Sequence, residues 1–172
     1  ATFQPSNVFL NLGGGIYPIS AADAVGCIDN STADIIDPDE LTYMTDITQL
    51  SCNDVCIGEI EVNAVGGTGT LQYSNDNGAT FSFGNTFTNL CAGNYDVVVE
   101  DANGCPASSI EPITEPAPLT LTLGITQPIC NSSCDGNINS IPDGGVGNYT
   151  YTWSSGQDIP FISNLCSGQY DL

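Results

Sequence analysis

The sequence predicts an all-β chain of tandem immunoglobulin-like β-sandwich modules, stapled by disulfides. Three observations carry this: a segment of about 78 residues repeats, apolar and polar residues alternate along short runs, and turn-forming residues separate those runs. No window has a helical period.

The repeat sets the boundaries. ATFQPSNVFLNLGGGIYPISAADAVGC (1–27) returns as ATFSFGNTFTNLCAGNYDVVVEDANGC (79–105). Ala1, Thr2, Phe3, Asn11, Leu12, Gly15, Tyr17, Asp23 and Cys27 recur at Ala79, Thr80, Phe81, Asn89, Leu90, Gly93, Tyr95, Asp101 and Cys105. The same shift carries Ile47-Thr48-Gln49 to Ile125-Thr126-Gln127, Cys52 and Cys56 to Cys130 and Cys134, and Gly66-Gly67 to Gly144-Gly145. After Tyr151 the third copy loses three residues, so Leu90-Cys91 matches Leu165-Cys166. The expected organisation is the C-terminal half of a first repeat (1–40), a complete second repeat (41–117) and the N-terminal part of a third (118–172). Pro38, Pro116 and Pro118 mark short, semi-rigid junctions. The chain opens inside a motif, so it is expected to be an internal slice of something longer, with any signal peptide outside it.

Within the complete copy, strands are expected at 41–51, 57–65, 70–75, 79–84, 86–90, 94–100 and 106–114, the immunoglobulin order A, B, C, C′, E, F, G. Ile60, Val62 and Ala64 alternate with Glu59, Glu61 and Asn63; Tyr95, Val97 and Val99 alternate with Asp96 and Glu100. In the third copy Leu119, Leu121 and Leu123 alternate with threonines, as do Tyr149, Tyr151 and Trp153. Such period-2 runs are half-buried strands. CNDVC, GGTG, DNG, CAGN and DANG fall between them, where Gly and Asn supply positive φ.

Composition excludes whole classes of function. All 20 charged residues are acidic, and the chain has no Lys, Arg or His, giving a net charge of −20. Charged residues are 12% of the chain against roughly 25% in an ordinary domain. Without imidazole or a cationic side chain, no Ser/His/Asp or Cys/His nucleophile can be assembled. A phosphate-binding lysine or arginine clamp is equally impossible. Nucleic acid and anionic lipid heads find no basic partner, and no apolar run approaches the roughly 18 residues of a membrane span. A carboxylate pair of glycosidase type survives this arithmetic. The acids, however, alternate outward on strands or sit in turns, so no enzyme is expected.

Eight cysteines in a chain without histidine fit disulfides in an oxidising, extracellular setting better than zinc, despite the Cys52-x3-Cys56 and Cys130-x3-Cys134 spacings. In the expected topology the A–B and E–F turns lie at one end of the sandwich. This predicts Cys56–Cys91 and, by repetition, Cys134–Cys166. Cys27, Cys52, Cys105 and Cys130 form a second class whose pairing stays open: Cys52–Cys105 within a copy, Cys27–Cys52 and Cys105–Cys130 between copies, or bonds to copies outside the slice. An F–G turn and an A–B turn of one sandwich should lie at opposite ends.

Other candidate sites have plain alternatives. Asp37, Asp39 and Glu40 could offer oxygen ligands to calcium, but they read first as a solvated linker. Asp76 is a weaker calcium candidate; in SNDNGAT it reads first as hairpin-turn chemistry. Asp101 and its counterpart Asp23 read as turn-capping carboxylates. Tyr73, Tyr95, Tyr149, Tyr151, Trp153 and Tyr170 could stack on sugars, yet their phase matches the buried face of their strands. Sequons stand at Asn30, Asn131 and Asn148. No cofactor is expected.

The combination of Cys52, Gly58, Ile60, Gly66-Gly67, Tyr73, Leu90, Gly93, Tyr95, Val97, Val99, Asp101 to Cys105 and Thr114-Glu115-Pro116 resembles the SprB-like repeat. Gly144, Gly145, Tyr149, Tyr151 and Trp153 repeat the pattern. That family occurs in very large secreted surface proteins of gliding and other Bacteroidota. The resemblance implies tandem β-sandwiches, export to the cell surface and a role in adhesion or gliding motility, with no catalytic residues. The expected function is thus a structural stalk or filament segment, whose partners are neighbouring repeats and possible further copies in a surface fibre. The alternatives are a sugar- or calcium-binding module, or an accessory array of a secreted enzyme.

Overall fold

A computed structural model describes Gln4 and residues 6–172. Ala1, Thr2 and Phe3, which open the first repeat match, and Pro5 lie outside the described residues. The chain is all-β, with eleven strands and no helix among the described residues. No helix there is long and apolar enough to cross a membrane.

The first segment forms one antiparallel hairpin, β1 (Gly15–Ala22) with β2 (Ile28–Ile35), paired from Gly15↔Ile35 to Ala22↔Ile28. The second segment contains β3 (Thr42–Thr48), β4 (Gly58–Val65), β5 (Gln72–Ser74), β6 (Thr86–Leu90), β7 (Gly93–Glu100) and β8 (Pro106–Ile113). They make two three-stranded sheets, β3-β4-β6 and β5-β7-β8. This partition is that of A-B-E and C-F-G in an immunoglobulin-like sandwich. Alternation decides which side faces in. Ile60 and Val62 of β4 and Leu90 of β6 meet Val97 and Val99 of β7 and Ile113 of β8 in one core, and Ile60, Val62, Val97 and Val99 are fully enclosed.

Two expected strands are not formed, each for a local reason. The 79–84 segment makes a single bridge, Tyr73↔Ser82. Three residues later Asn85 already bonds the opposite sheet, its carbonyl accepting from Val62 N at 2.8 Å and its side-chain Nδ2 donating to Val62 O at 3.1 Å. A segment that crosses between sheets so quickly has no length for a ladder. Residues 149–153 also lack a strand partner. Their counterpart β5 pairs with β7, and the described chain includes only the first residues of the matching stretch, from Gly168 to Leu172. Ser154 N donates to Asp171 O at 2.7 Å, the counterpart of the bond from Asn77 N to Asp96 O beside the β5–β7 ladder of the second segment.

The third segment contributes β9 (Thr120–Thr126), β10 (Gly136–Asp143) and β11 (Phe161–Leu165), in the order β11-β10-β9. Ile138, Trp153, Ile162 and Leu165 form its core, with Trp153 only 2% exposed and its Nε1 donating to Ile159 O at 2.8 Å. Leu119, Leu121 and Leu123, expected to be half-buried, are exposed, because no second sheet covers β9 among the described residues.

The three segments share backbone detail at equivalent positions. Asn11, Asn89 and Asn164 all adopt left-handed φ of 58–59°, and Asp54 and Ser132 do so at the β3–β4 and β9–β10 turns. Six residues after each such Asn, a tyrosine hydroxyl donates four residues back: Tyr17 to Gly13 O (2.8 Å), Tyr95 to Cys91 O (3.0 Å) and Tyr170 to Cys166 O (3.3 Å). This is the tyrosine corner found in immunoglobulin-like sandwiches.

Candidate functional site

The two ends of the second segment differ, and each is built from residues that repeat. At the end where β3 begins, three loops are tied together. Gly67 N donates to Asp39 O of the linker at 2.9 Å. Gly66 holds φ +83°, and a Cβ on it would strike the Glu40 carbonyl, so only glycine lets the linker lie this close. Thr68 N then donates to Asp101 Oδ2 at 2.8 Å, and Ala102 N to Thr68 O at 3.0 Å. The third segment repeats the first of these ties: Gly145 N donates to Ala117 O at 2.8 Å, and a Cβ on Gly144 would strike Pro118 O.

Asp101 organises the loop between β7 and β8. It is 3% exposed and carries no cationic partner. Backbone amides take that role: Oδ1 accepts from Asn103 N and Cys105 N, each at 2.9 Å, while Oδ2 accepts from Thr68 N. These amide donors, Cys105 first and then Thr68, hold its carboxyl below the usual carboxylate range. Asp23 makes the same local pattern, accepting from Val25 N (3.0 Å) and Cys27 N (2.8 Å), and is lowered chiefly by the Cys27 amide. Local chemistry therefore accounts for the expected cap, but the reach of Asp101 to Thr68, 33 residues away in sequence, is visible only in three dimensions.

A pH dependence follows. The folded pKa of Asp101 lies below its ordinary value, so its contribution is fully present above about pH 4, the unfolded carboxylate range, and is lost as pH falls through the folded value. Asp101→Asn should lower the melting temperature at neutral pH and flatten its fall below about pH 4. Thermal melts across that range would check this; parallel curves for the two proteins would contradict it.

At the opposite end, the β3–β4 turn packs beside the β6–β7 turn. Cys56 and Cys91 are joined there in a disulfide, and Cys134 and Cys166 are joined at the equivalent place in the third segment. The end of β3 is also tied to the end of β8. Gln49 Oε1 accepts from Thr114 N (2.5 Å) and Thr114 Oγ1 (3.0 Å), Gln49 Nε2 donates to Pro112 O (3.2 Å), and Leu50 N donates to Thr114 O (3.1 Å). Asp54 N donates to Glu115 Oε2 at 2.8 Å. Nothing in the composition singles out Gln49; its recurrence as Gln127 was the one available signal. Midway, Tyr43 Oη lies 2.6 Å from Ser109 Oγ and donates to Val97 O at 3.2 Å, bridging the sheets, and burial raises its pKa.

The remaining candidates stand apart from these ties. Cys27, Cys52, Cys105 and Cys130 are exposed and unpaired. The side chains of Asp37, Asp39 and Glu40 are exposed along the linker. Asp76 sits in the Asn77-Gly78 hairpin turn, accepting from Ser74 Oγ (2.6 Å), Thr80 N (2.9 Å) and Thr80 Oγ1 (2.7 Å). Those hydroxyl and amide donors, Ser74 first, bring its pKa to about 2. Tyr73, Tyr95, Tyr151 and Tyr170 are half-buried and Trp153 is buried, whereas Tyr149 is 40% exposed and donates to Gly144 O at 2.8 Å.

No curated protein matches this chain. The family model of the SprB repeat matches residues 122–158, the stretch that runs from β9 through Cys130, Cys134, β10 and Gly144-Gly145 to Trp153 and the turn after it. Over residues 122–158, within its third segment, the chain is thus similar to the SprB repeat.

Proposed function

We propose that the chain is a load-bearing stalk or filament segment of an exported bacterial surface protein, serving adhesion or gliding motility without catalysis. The SprB-repeat match over residues 122–158 supports this reading, because that repeat is associated with cell-surface adhesins and gliding motility. The observation that carries the finer reading is the direction of the first and last strands. β3 and β8 run the same way, from the Asp39–Asp101 end to the Gln49–Thr114 end. The chain therefore enters the complete repeat at one end and leaves at the other. Eight-residue strands make that step roughly 25 Å. Tension along the chain pulls β3 and β8 in opposite directions, so the Gln49–Thr114 bonds are loaded together in shear.

Two results are expected. Gln49→Ala should lower the stability of the second repeat by about 1–2 kcal/mol, the net worth of a few such hydrogen bonds. It should also lower the force at which that repeat opens in single-molecule pulling, while an unchanged force would mean that the Gln49–Thr114 bonds bear no load. The anionic surface keeps parallel rods apart in dilute salt. Because the sequence has no Lys or Arg, trypsin should leave the chain intact even after denaturation.

A further inference from the structure

The four unpaired cysteines fall into two places. Cys52 lies in the β3–β4 turn and Cys130 in its counterpart between β9 and β10; Cys105 closes the loop between β7 and β8, and Cys27 closes its counterpart between β1 and β2. In the complete repeat these places are opposite ends. The β7–β8 loop is tied to the linker end through Asp101 and Thr68, whereas the β3–β4 turn is tied to the exit end through Asp54 and Glu115. The length of β7 separates them, roughly 25 Å. A disulfide needs Cα atoms within about 7 Å. Cys52 and Cys105 of one repeat cannot meet.

The linker brings the two kinds of thiol together across a joint. Glu115 is anchored to the β3–β4 turn of the second segment, and Ala117 to the Gly144-Gly145 loop of the third. Only Pro116 stands between them, a backbone span of about 7 Å. Within the second repeat, the Gly66-Gly67 loop is in turn tied to the loop that Cys105 closes. The turn bearing Cys52 is thus joined to the end of the following repeat that corresponds to the end of the second repeat where Cys105 is exposed.

We infer that each exposed cysteine of a β3–β4 turn forms a disulfide with the DANGC-type cysteine of the next repeat. The inference rests on the end-to-end reading above. It accounts for all four unpaired thiols at once. On this rule Cys52 pairs forward, with the third repeat's counterpart of Cys105, and Cys105 pairs backward, with the first repeat's counterpart of Cys52. Cys27 and Cys130 likewise face the repeats before and after. A small-molecule disulfide such as oxidised glutathione accepts the two electrons. The two thiols lose their protons, one sulfur–sulfur bond forms, and two molecules of reduced glutathione leave.

The test uses the tandem array with its thiols blocked by N-ethylmaleimide during purification, cut with acid-specific and chymotryptic proteases and mapped without reduction. The expected product joins the Cys52 peptide to the DANGC-type peptide of the following repeat. Cys52→Ser should expose one additional alkylatable thiol in that following repeat and leave Cys56–Cys91 intact. The 172-residue chain alone should take up four alkyl groups. Free Cys52 in the array, a Cys52–Cys105 bond, or a bond to a separate chain would overturn the inference. Small-angle scattering separates the two readings. A compact array carrying these bonds would sink the stalk and spare the cross-link, whereas an elongated array with free thiols would do the reverse.

Discussion

Replacing Cys91 by serine, or reducing Cys56–Cys91, should lower the stability of the second repeat by about 4 kcal/mol, the loop-closure entropy for a separation of 35 residues. Both cysteines are exposed, so a small thiol reductant reaches the bond in the folded state. A loss of this size is a large share of the 5–15 kcal/mol that typically holds a domain. The effect should come from freeing the unfolded chain rather than from damage to the fold. The first segment shows why: it has Gly13 where the second has Cys91, yet Tyr17 donates to Gly13 O just as Tyr95 donates to Cys91 O. The corner therefore forms without the bond. Urea unfolding of oxidised and reduced protein would measure the difference, and coincident curves would refute the estimate.

Ile60→Ala should cost the second repeat about 2–5 kcal/mol, the range for removing a large aliphatic side chain from a tight core. Ile60 is 0% exposed and lies where β4 faces β7 and β8. Its neighbours Val62, Val97 and Val99 are stiff at χ1 and held by sheet backbone, so the space would close poorly. The loss should fall on the second repeat and leave the Trp153 core of the third unchanged, which tryptophan fluorescence reports separately, since Trp153 is the one tryptophan. A loss below about 1 kcal/mol would mean that the sheets close over the space.

Much of this fold was legible because its information is local and repeated. In β4, residues 58–65 alternate between core and surface as the Ile60–Val62–Ala64 pattern requires. The turns at Asn77-Gly78 and Asp101–Cys105 are dictated by residues within a few positions of one another. What escaped needed distant partners. The 79–84 segment has the composition of a strand but is drawn across to Val62 by Asn85. Tyr149 to Trp153 alternate correctly, yet a strand exists only with a neighbour to pair with. In the site, the role of Asp101 as a cap could be read from DANGC, while its second oxygen and the side chain of Gln49 act on residues 33 and 65 positions away.

The joint between the second and third segments takes one half from each of the segments it connects. The upstream side supplies Glu115 and its amide anchor at Asp54, and the downstream side supplies the paired glycines that receive the linker carbonyl. A gene that gains or drops one whole unit therefore leaves each surviving boundary correctly made.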